Sequence, residues 1–139
     1  MVTKIVVDTN VFVSVLIGRE GSAAREVLRR CLQGNYQPLM GNALFTEYQD
    51  VMNRDEIKAK CPLTESEAKD LLADFMSVCQ WVKIFYLWRP NLKDEADNHL
   101  IELAIAGNAQ IIVTRNINDF KRSQLQFPQI KILKPEEIL

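Results

Sequence analysis

Short, unbroken apolar runs along this chain alternate with longer stretches in which apolar residues recur every three or four positions. Such runs predict buried β-strands at Ile5–Val7 and Ile111–Val113, short mixed segments predict strands at Tyr36–Met40 and Ile130–Leu133, and alternation predicts one at Trp81–Leu87. The longer stretches predict amphipathic helices between these strands. Strands that alternate with helices favour an α/β fold, so we expect a parallel β-sheet flanked by helices on both faces.

Capping residues set the predicted helix boundaries. Ser22 and Asn42 are residue types that begin helices, Thr64–Glu67 has the form of a capping box, and Gly34 and Gly107 end apolar stripes. The predicted helices are Val11–Ile17, a helix from Ser22 to Gly34, one that starts at Asn42, one that starts at Thr64 and runs through Met76, one through Leu100–Ile105, and a small one after Pro135.

Composition bounds the class of protein. The 139 residues, 47% of them hydrophobic, match a common domain size, so we expect a single domain over residues 1–139. The cysteines are Cys31, Cys61 and Cys79, an odd number with no CxxC pair, which is typical of reduced cytosolic thiols. No signal-peptide pattern and no long apolar run is present, so a cytoplasmic protein without a membrane span is expected. The net charge of −1 restricts any nucleic-acid contact to a local surface.

One acidic residue closes the first apolar run: Asp8 follows Ile5–Val7 and precedes Thr9 and Asn10. In an open α/β sheet, ligands bind beyond the carboxyl ends of the strands, so Asp8 is expected to face a pocket. Thr114 ends the Ile111–Val113 run in the same way. If these two strands are neighbours, their loops converge at one edge of the sheet.

Further carboxylates stand at the edges of apolar elements, and together with Asp8 they form a set that is typical of a site for hard divalent cations. They are Glu47, Asp94, Asp97 and Asp119. Each has an alternative interpretation, because Asp8, Asp94 and Asp97 could cap helices and Glu47 and Asp119 could be solvated surface residues. A divalent metal is the usual way to neutralise several gathered carboxylates, which favours the common site.

Other residue types exclude several kinds of site. His99 is the only histidine, which argues against zinc and against a Ser-His-Asp or Cys-His centre, and we expect it on a partly exposed helix surface. No glycine-rich phosphate loop follows the first strand. Trp81 and Trp88 flank a predicted strand, where packing is favoured over base stacking because no pattern places them near the acidic residues.

Four segments, in order and with suitable spacing, resemble the motifs of PIN domains, metal-dependent nucleases that include many toxins of bacterial and archaeal toxin-antitoxin pairs. They are Val6–Phe12, Leu44–Glu47, Asp94–Asn98 with the helix that follows it, and Ile112–Phe120. The resemblance implies an acidic pocket for Mg²⁺ or Mn²⁺ with Asp8, Glu47, Asp97 and Asp119 as site carboxylates. It also implies polar support from Thr9, Asn10 and Thr114, a cognate antitoxin and a homodimer.

The expected activity is hydrolysis of RNA phosphodiester bonds by metal-activated water. Asp8 and Asp97 are expected to hold the metal, Asp119 to complete its shell, and Glu47 to orient or deprotonate water, with Asp94 and Asn116 in support. Basic residues near the rim of the acidic pocket could bind the RNA phosphates on either side of the cleaved bond. They are Arg19, Arg115, Lys121 and Arg122.

One departure from the family pattern keeps an alternative open. Asn116 stands where many PIN domains have an aspartate, so it keeps a carbonyl ligand but lacks a charge. A catalytically inactive PIN-like module that binds nucleic acid or protein is therefore the first alternative. A phosphatase of the haloacid dehalogenase type is disfavoured, because its second aspartate would be needed at Asn10.

Overall fold

The central feature of the fold is a parallel β-sheet. A computed structural model of the chain describes residues 2–18, 22–84, 98–120 and 127–139, without the side chains of Asn98 and Asp119. The strands in this part of the chain are β1 (Thr3–Val7), β2 (Tyr36–Met40), β3 (Gln80–Trp81), β4 (Ile111–Val113) and β5 (Lys131–Leu133). Their order is β3-β2-β1-β4-β5, and every neighbouring pair is parallel, as the sequence predicts.

Helices connect the strands and cover the sheet. The described α-helices are α1 (Thr9–Ile17), α2 (Ala23–Leu32), α3 (Asn42–Met52), α4 (Asp55–Lys60), α5 (Glu65–Val78) and α6 (Asn98–Ala106). Two short 3₁₀ helices lie at Ile117–Phe120 and Pro135–Glu137. Within the described residues, no helix has the length and apolar character needed to cross a membrane.

Different helices pack on the two faces of the sheet. Val7 borders the same small cavity as Phe12 of α1, Val27 of α2 and Phe75 of α5, so these helices cover one face. Gly107, directly after α6, lies against the other face, where a Cβ at this position would collide with Leu39 of β2. A larger residue at position 107 would therefore require at least the side chain of Leu39 to move.

A buried tyrosine fixes α3 to the end of β1. Tyr48 is fully buried, and its hydroxyl donates a 2.6 Å hydrogen bond to the carbonyl oxygen of Val7. Its ring packs edge-on against Phe12, with 5.3 Å between ring centroids, and also contacts Phe75. This contact satisfies the tyrosine hydroxyl inside the core and places Glu47, the preceding residue, close to the residue that follows β1.

Most predicted boundaries are confirmed to within two residues, with two corrections. The helix predicted to start with Asn42 as its cap has Gly41 at the cap position instead, where the backbone packs against Leu103. The strand predicted at Trp81–Leu87 ends at Trp81, and residues 82–84 are not in a strand. The neighbouring strand β2 ends at Met40, which pairs with Trp81, so residues 83 and 84 have no part of β2 to pair with; residues 85–87 lie outside the described ranges.

Other predicted caps are confirmed. The Ser22 hydroxyl accepts a hydrogen bond from the backbone N–H of Arg25 at 3.2 Å. Thr64 and Glu67 form the predicted capping box at the start of α5. Cys31, Cys61 and Cys79 are all free thiols. Burial raises the pKa of Cys31 and of Cys79 to about 12, so these two thiols behave as apolar packing residues.

Candidate functional site

Asp8 is the buried centre of a polar cluster at the carboxyl edge of the sheet. It occupies the position before α1, but its side chain makes no capping hydrogen bond to that helix. Instead, its carboxylate oxygen Oδ2 accepts hydrogen bonds from the Thr114 hydroxyl at 2.9 Å and from Asn10 Nδ2 at 3.2 Å. Only 6% of Asp8 is exposed. The alternative interpretation of Asp8 as a helix-capping side chain is therefore wrong.

The pairing of β1 with β4 brings Thr114 to Asp8. Val7 is in register with Val113, and the backbone N–H of Asp8 donates a 2.9 Å hydrogen bond to the carbonyl of Val113. Asp8 and Thr114 are the next residues of these two strands, so their side chains meet at the sheet edge as the sequence predicts. Thr114 is completely buried.

Asn10 holds the two strand ends together. Its Nδ2 donates to Asp8 and also to Thr114 Oγ1 at 3.1 Å, while its Oδ1 accepts a 3.1 Å hydrogen bond from the backbone N–H of Arg115. These contacts use both the donor and the acceptor of an amide. An aspartate at position 10 could not donate to Asp8, which explains why this position suits asparagine.

A second carboxylate, Glu47 of α3, joins the cluster through Thr9. The Thr9 hydroxyl lies 3.0 Å from Glu47 Oε1 and 3.4 Å from Asp8 Oδ1, so it lies between the two carboxylates. Glu47 Oε2 also lies 2.6 Å from Nε2 of His99, on α6. The alternative interpretation of Glu47 as a merely solvated helix residue is wrong, because both of its oxygens have protein partners.

His99 is the member of the cluster that sequence reasoning missed. Its side chain is only 18% exposed, and it lies in the first turn of α6, which packs against β1, β2 and β4. The signal in the sequence was its position directly after Asp97-Asn98, at the start of a helix that follows a site motif. In the described part of the chain, His99 Nδ1 and Glu102 Oε1 are buried without a hydrogen-bond partner.

The pKa values of the Asp8 and Glu47 carboxyl groups are shifted in opposite directions. Burial raises the pKa of Asp8, the Thr114 hydrogen bond opposes this rise, and the negative charge of Glu47 adds to it. The hydrogen bond from His99 lowers the pKa of Glu47 despite partial burial. Among the described residues, no lysine or arginine forms an ion pair with Asp8. The hydrogen-bond partners of the buried Asp8 carboxylate in the described part of the chain are thus the neutral groups of Thr9, Asn10 and Thr114, and the charge interaction with His99 is a smaller contribution to its pKa.

The remaining predicted site residues are only partly covered by the structure. Asn116 is exposed, and its backbone N–H donates to Thr114 Oγ1 at 3.1 Å. Asp119 belongs to the 3₁₀ helix Ile117–Phe120, but its carboxyl group lies outside what the structure describes. Five predicted residues lie outside the described ranges: Asp94, Asp97, Arg19, Lys121 and Arg122. Arg115 contacts Ser14 Oγ at 2.8 Å and Glu136 Oε1 at 3.4 Å.

The chemistry of the described cluster fits a hard divalent cation. Asp8 and Glu47 supply carboxylate oxygens, and the raised pKa of Asp8 reflects a charge that a cation would stabilise. Within the described residues, no group of three or more His, Cys, Asp or Glu side chains is gathered closely enough to hold a metal alone.

Comparison with protein families decides the classification. The sequence matches the model of the PIN domain over residues 4–118. The chain belongs to the PIN domain family. The matched residues of this PIN domain include Asp8, Glu47 and Thr114, and the match ends one residue before Asp119. A comparison with curated proteins gives no match.

Comparison with solved structures confirms the PIN fold. The chain is similar to one in the crystal structure of VapBC2 from Rickettsia felis bound to a DNA fragment from their promoter. The TM-score is 0.57, the sequence identity is 20%, and the alignment covers 94% of this PIN domain and 97% of that chain. The likeness therefore extends over nearly the whole of both chains.

Proposed function

We propose that this PIN domain is a ribonuclease that hydrolyses RNA phosphodiester bonds with the help of Mg²⁺ or Mn²⁺. The observation that carries the proposal is the buried Asp8 carboxylate, which Thr114 and Asn10 hold, which forms no ion pair with a lysine or arginine of the described residues, and which Thr9 links to Glu47. Buried carboxylates without cationic partners are costly to stability, and a divalent metal is the partner that their oxygen atoms favour.

In this mechanism, Asp8, Asp97 and Asp119 hold the cation, with Asp94 and Asn116 nearby. When bound, the cation offsets the negative charge that develops on the scissile phosphate. Glu47 accepts a hydrogen bond from the attacking water and takes its proton. The lowered pKa of Glu47 keeps this carboxylate ionised near neutral pH, and the contact with His99 holds it in place.

Basic residues at the rim hold the phosphates that flank the cleaved bond. The candidates are Arg19, Arg115, Lys121 and Arg122, a small set that is consistent with a chain of net charge −1. Arg115 is the described member, and its main-chain N–H contacts Asn10 beside Asp8. Its ion pair with Glu136 at 3.4 Å reduces the charge that it offers to a phosphate.

The biological role that we infer is that of a toxin with a cognate antitoxin. The likeness to a chain in the VapBC2 complex from Rickettsia felis supports this role, as does membership of a family that includes toxins of toxin-antitoxin pairs. We further propose that residues 1–139 form one nuclease domain, that it acts in the cytoplasm, and that it functions as a homodimer.

An RNA cleavage assay tests the proposed activity. The purified chain is expected to cleave RNA with Mg²⁺ or Mn²⁺ and to stop when the metal is chelated. Asp8→Asn removes a metal-binding charge at nearly constant shape, and it should lower the cleavage rate at least about a hundredfold with an unchanged circular dichroism spectrum. The matched control is Asp74→Asn, which changes an exposed carboxylate on α5 and should leave the rate unchanged.

Two results would contradict the nuclease proposal. Full cleavage by the Asp8→Asn variant, in a preparation free of contaminating nuclease, would show that another group carries the chemistry. Absence of cleavage by the unmodified chain, with RNA still bound, would favour the inactive binding module that Asn116 suggests.

A further inference from the structure

Trp81 exposes a large aromatic surface at the edge of the sheet. It is the last residue of the edge strand β3, and 48% of it is accessible to solvent. Most large apolar side chains in the described residues are buried; the exposed ones are Val2, Leu32, Trp81 and Leu139. Trp81 contacts Phe45 of α3 edge-on, with 5.4 Å between ring centroids and 66° between ring planes. The Phe45 ring thus packs against the Trp81 ring, while much of the Trp81 indole remains exposed to solvent.

The strand register places Trp81 at the same sheet edge as Asp8. Trp81 pairs with Met40 of β2, and Pro38 of β2 pairs with Ile5 of β1. Continuing this register by two residues puts Val7 level with Met40 and Trp81. Neighbouring strands are about 4.8 Å apart, so the Cα of Trp81 lies roughly 10 Å across the sheet from the Cα of Val7, the residue before Asp8.

The first turns of α3 connect the aromatic pair to the acidic cluster. Phe45 and Glu47 are two positions apart on this helix, so their side chains project in different directions, toward Trp81 and toward Thr9. The intervening surface consists of the exposed residues Asn42, Ala43 and Thr46. The first turn of α3 carries no acidic residue. Among the described residues, this turn of α3 therefore offers no carboxylate that would repel a phosphate backbone crossing it.

We propose that Trp81, supported by Phe45, is a stacking platform for an unpaired base of the RNA substrate. This inference rests on the proposed ribonuclease function and names its substrate class as single-stranded RNA. An indole ring can stack on any base, whereas the bases of a duplex are already stacked on one another. The platform holds a nucleotide that flanks the cleaved bond, so it contributes to substrate binding and leaves the chemical step to the acidic cluster.

Cleavage kinetics with Trp81→Leu and Trp81→Phe test the platform. Loss of the ring in Trp81→Leu should raise KM for single-stranded RNA roughly five- to one-hundred-fold with little change in kcat. Trp81→Phe keeps an aromatic face and should recover much of the affinity. The control is Leu32→Ala, which removes another exposed apolar side chain from α2, away from this edge, and should leave KM unchanged.

A binding measurement separates failure of the platform from failure of the nuclease proposal. Trp81 and Trp88 are the only tryptophans, so Trp88→Phe leaves Trp81 as the only tryptophan fluorophore, and Asp8→Asn prevents cleavage during the titration. Single-stranded RNA should quench Trp81 fluorescence to saturation, whereas duplex RNA and inorganic polyphosphate should not.

The outcomes distinguish the two proposals. Unchanged KM in Trp81→Leu, or no quenching by single-stranded RNA, would overturn the platform even if cleavage depends on Asp8. Quenching by RNA in a chain that never cleaves RNA would support the platform and reject the nuclease activity. If protein concentration alone changes Trp81 fluorescence and RNA does not, Trp81 lies in a contact between copies of the chain, and the platform is wrong.

Discussion

Carboxylates on the outer helix surfaces and carboxylates at the carboxyl edge of the sheet have different partners. On α2 and α5, acidic residues form ion pairs with a basic residue one turn further along the same helix, such as Glu65 with Lys69 at 3.4 Å. Asp50 of α3 pairs with Arg54, which lies just beyond the end of that helix, at 3.2 Å. These pairs are solvated, and each stabilises its helix by only a few tenths of a kcal/mol.

At the sheet edge, Asp8 is buried and has only neutral hydrogen-bond donors as partners, and Glu47 is paired with His99. Burial raises the pKa of Asp8, which means that the folded protein disfavours its ionised form. Among the described residues, several surface acids are paired with cations whereas Asp8 is not, which supports the proposal that its negative charge is available for a metal ion. The difference indicates that this edge is shaped for function at the expense of stability.

The strongest test of this comparison uses two acidic residues of the same helix. Glu47→Gln should lower the RNA cleavage rate about a hundred- to ten-thousandfold, because an amide cannot take a proton from water. Asp50→Asn, one turn further along α3, should leave the rate within about twofold. Equal effects of the two substitutions on kcat would show that the position of the carboxylate does not matter, and the distinction between site and surface would fail.

His99 should have a smaller effect, since it acts by holding Glu47. His99→Gln is expected to lower kcat roughly ten- to one-hundred-fold, the range found when a residue that orients a functional group is lost. The pH profile of kcat provides the specific readout. Loss of the His99 contact should raise the pKa of Glu47, so the part of the profile that depends on Glu47 should move to higher pH. A lower rate with an unchanged pH profile would assign His99 a purely structural role.

The sequence predicts the centre of the sheet well because β1 and β4 contain unbroken apolar runs that are largely buried. Runs such as Ile5–Val7 and Ile111–Val113 leave few alternatives, and their parallel pairing follows from the helices between them. The Trp81–Leu87 prediction was wrong at residues 82–84, because strand length depends on the partner strand and β2 ends at Met40; residues 85–87 lie outside the described ranges. Local patterns contain no information about where a partner strand stops.

The site is predictable where it follows strand ends, and less so where it depends on how helices pack. Asp8 and Thr114 meet because their strands are neighbours, as expected. His99 was not predicted as a partner of Glu47, because the two residues are 52 positions apart on different helices. Their contact depends on the rotation of α3 and α6 about their axes, which tertiary packing determines.

Asn116 allows a third test, aimed at the metal site itself. If Asp119 replaces the usual aspartate, Asp119→Asn should weaken Mn²⁺ binding strongly, and Asn116→Asp should strengthen it roughly tenfold by adding a charge to the site. Isothermal titration of the unmodified chain and both variants measures this directly. Binding by Asn116→Asp together with no binding by the unmodified chain would favour the inactive PIN-like module.

The smallest expected effect is the change in stability caused by Asp8→Asn. It contrasts the buried carboxylate at the sheet edge with the paired carboxylates on the helix surfaces. The pKa of Asp8 in the folded state lies above its ordinary value of 3.8, so its contribution to stability is fully present below pH 3.8 and is lost as pH rises through the folded-state pKa. Without metal at pH 7, Asp8→Asn should therefore be more stable than the unmodified chain by about 1 kcal/mol, or roughly 3–5 °C in Tm. Thermal unfolding between pH 8 and pH 4 should show this difference shrinking as pH falls.

The surface pair supplies the control for this last prediction. Glu65→Gln removes the exposed carboxylate that is paired with Lys69, and it should change stability by no more than about 0.5 kcal/mol, in the destabilising direction. With saturating Mn²⁺, the unmodified chain should become more stable than Asp8→Asn. The reason is that the cation stabilises only the protein that binds it, by about 2.7 kcal/mol at a concentration of a hundred times Kd. If Asp8→Asn is less stable than the unmodified chain at pH 7 without metal, the Asp8 carboxylate is a stabilising structural group and the proposed contrast is wrong.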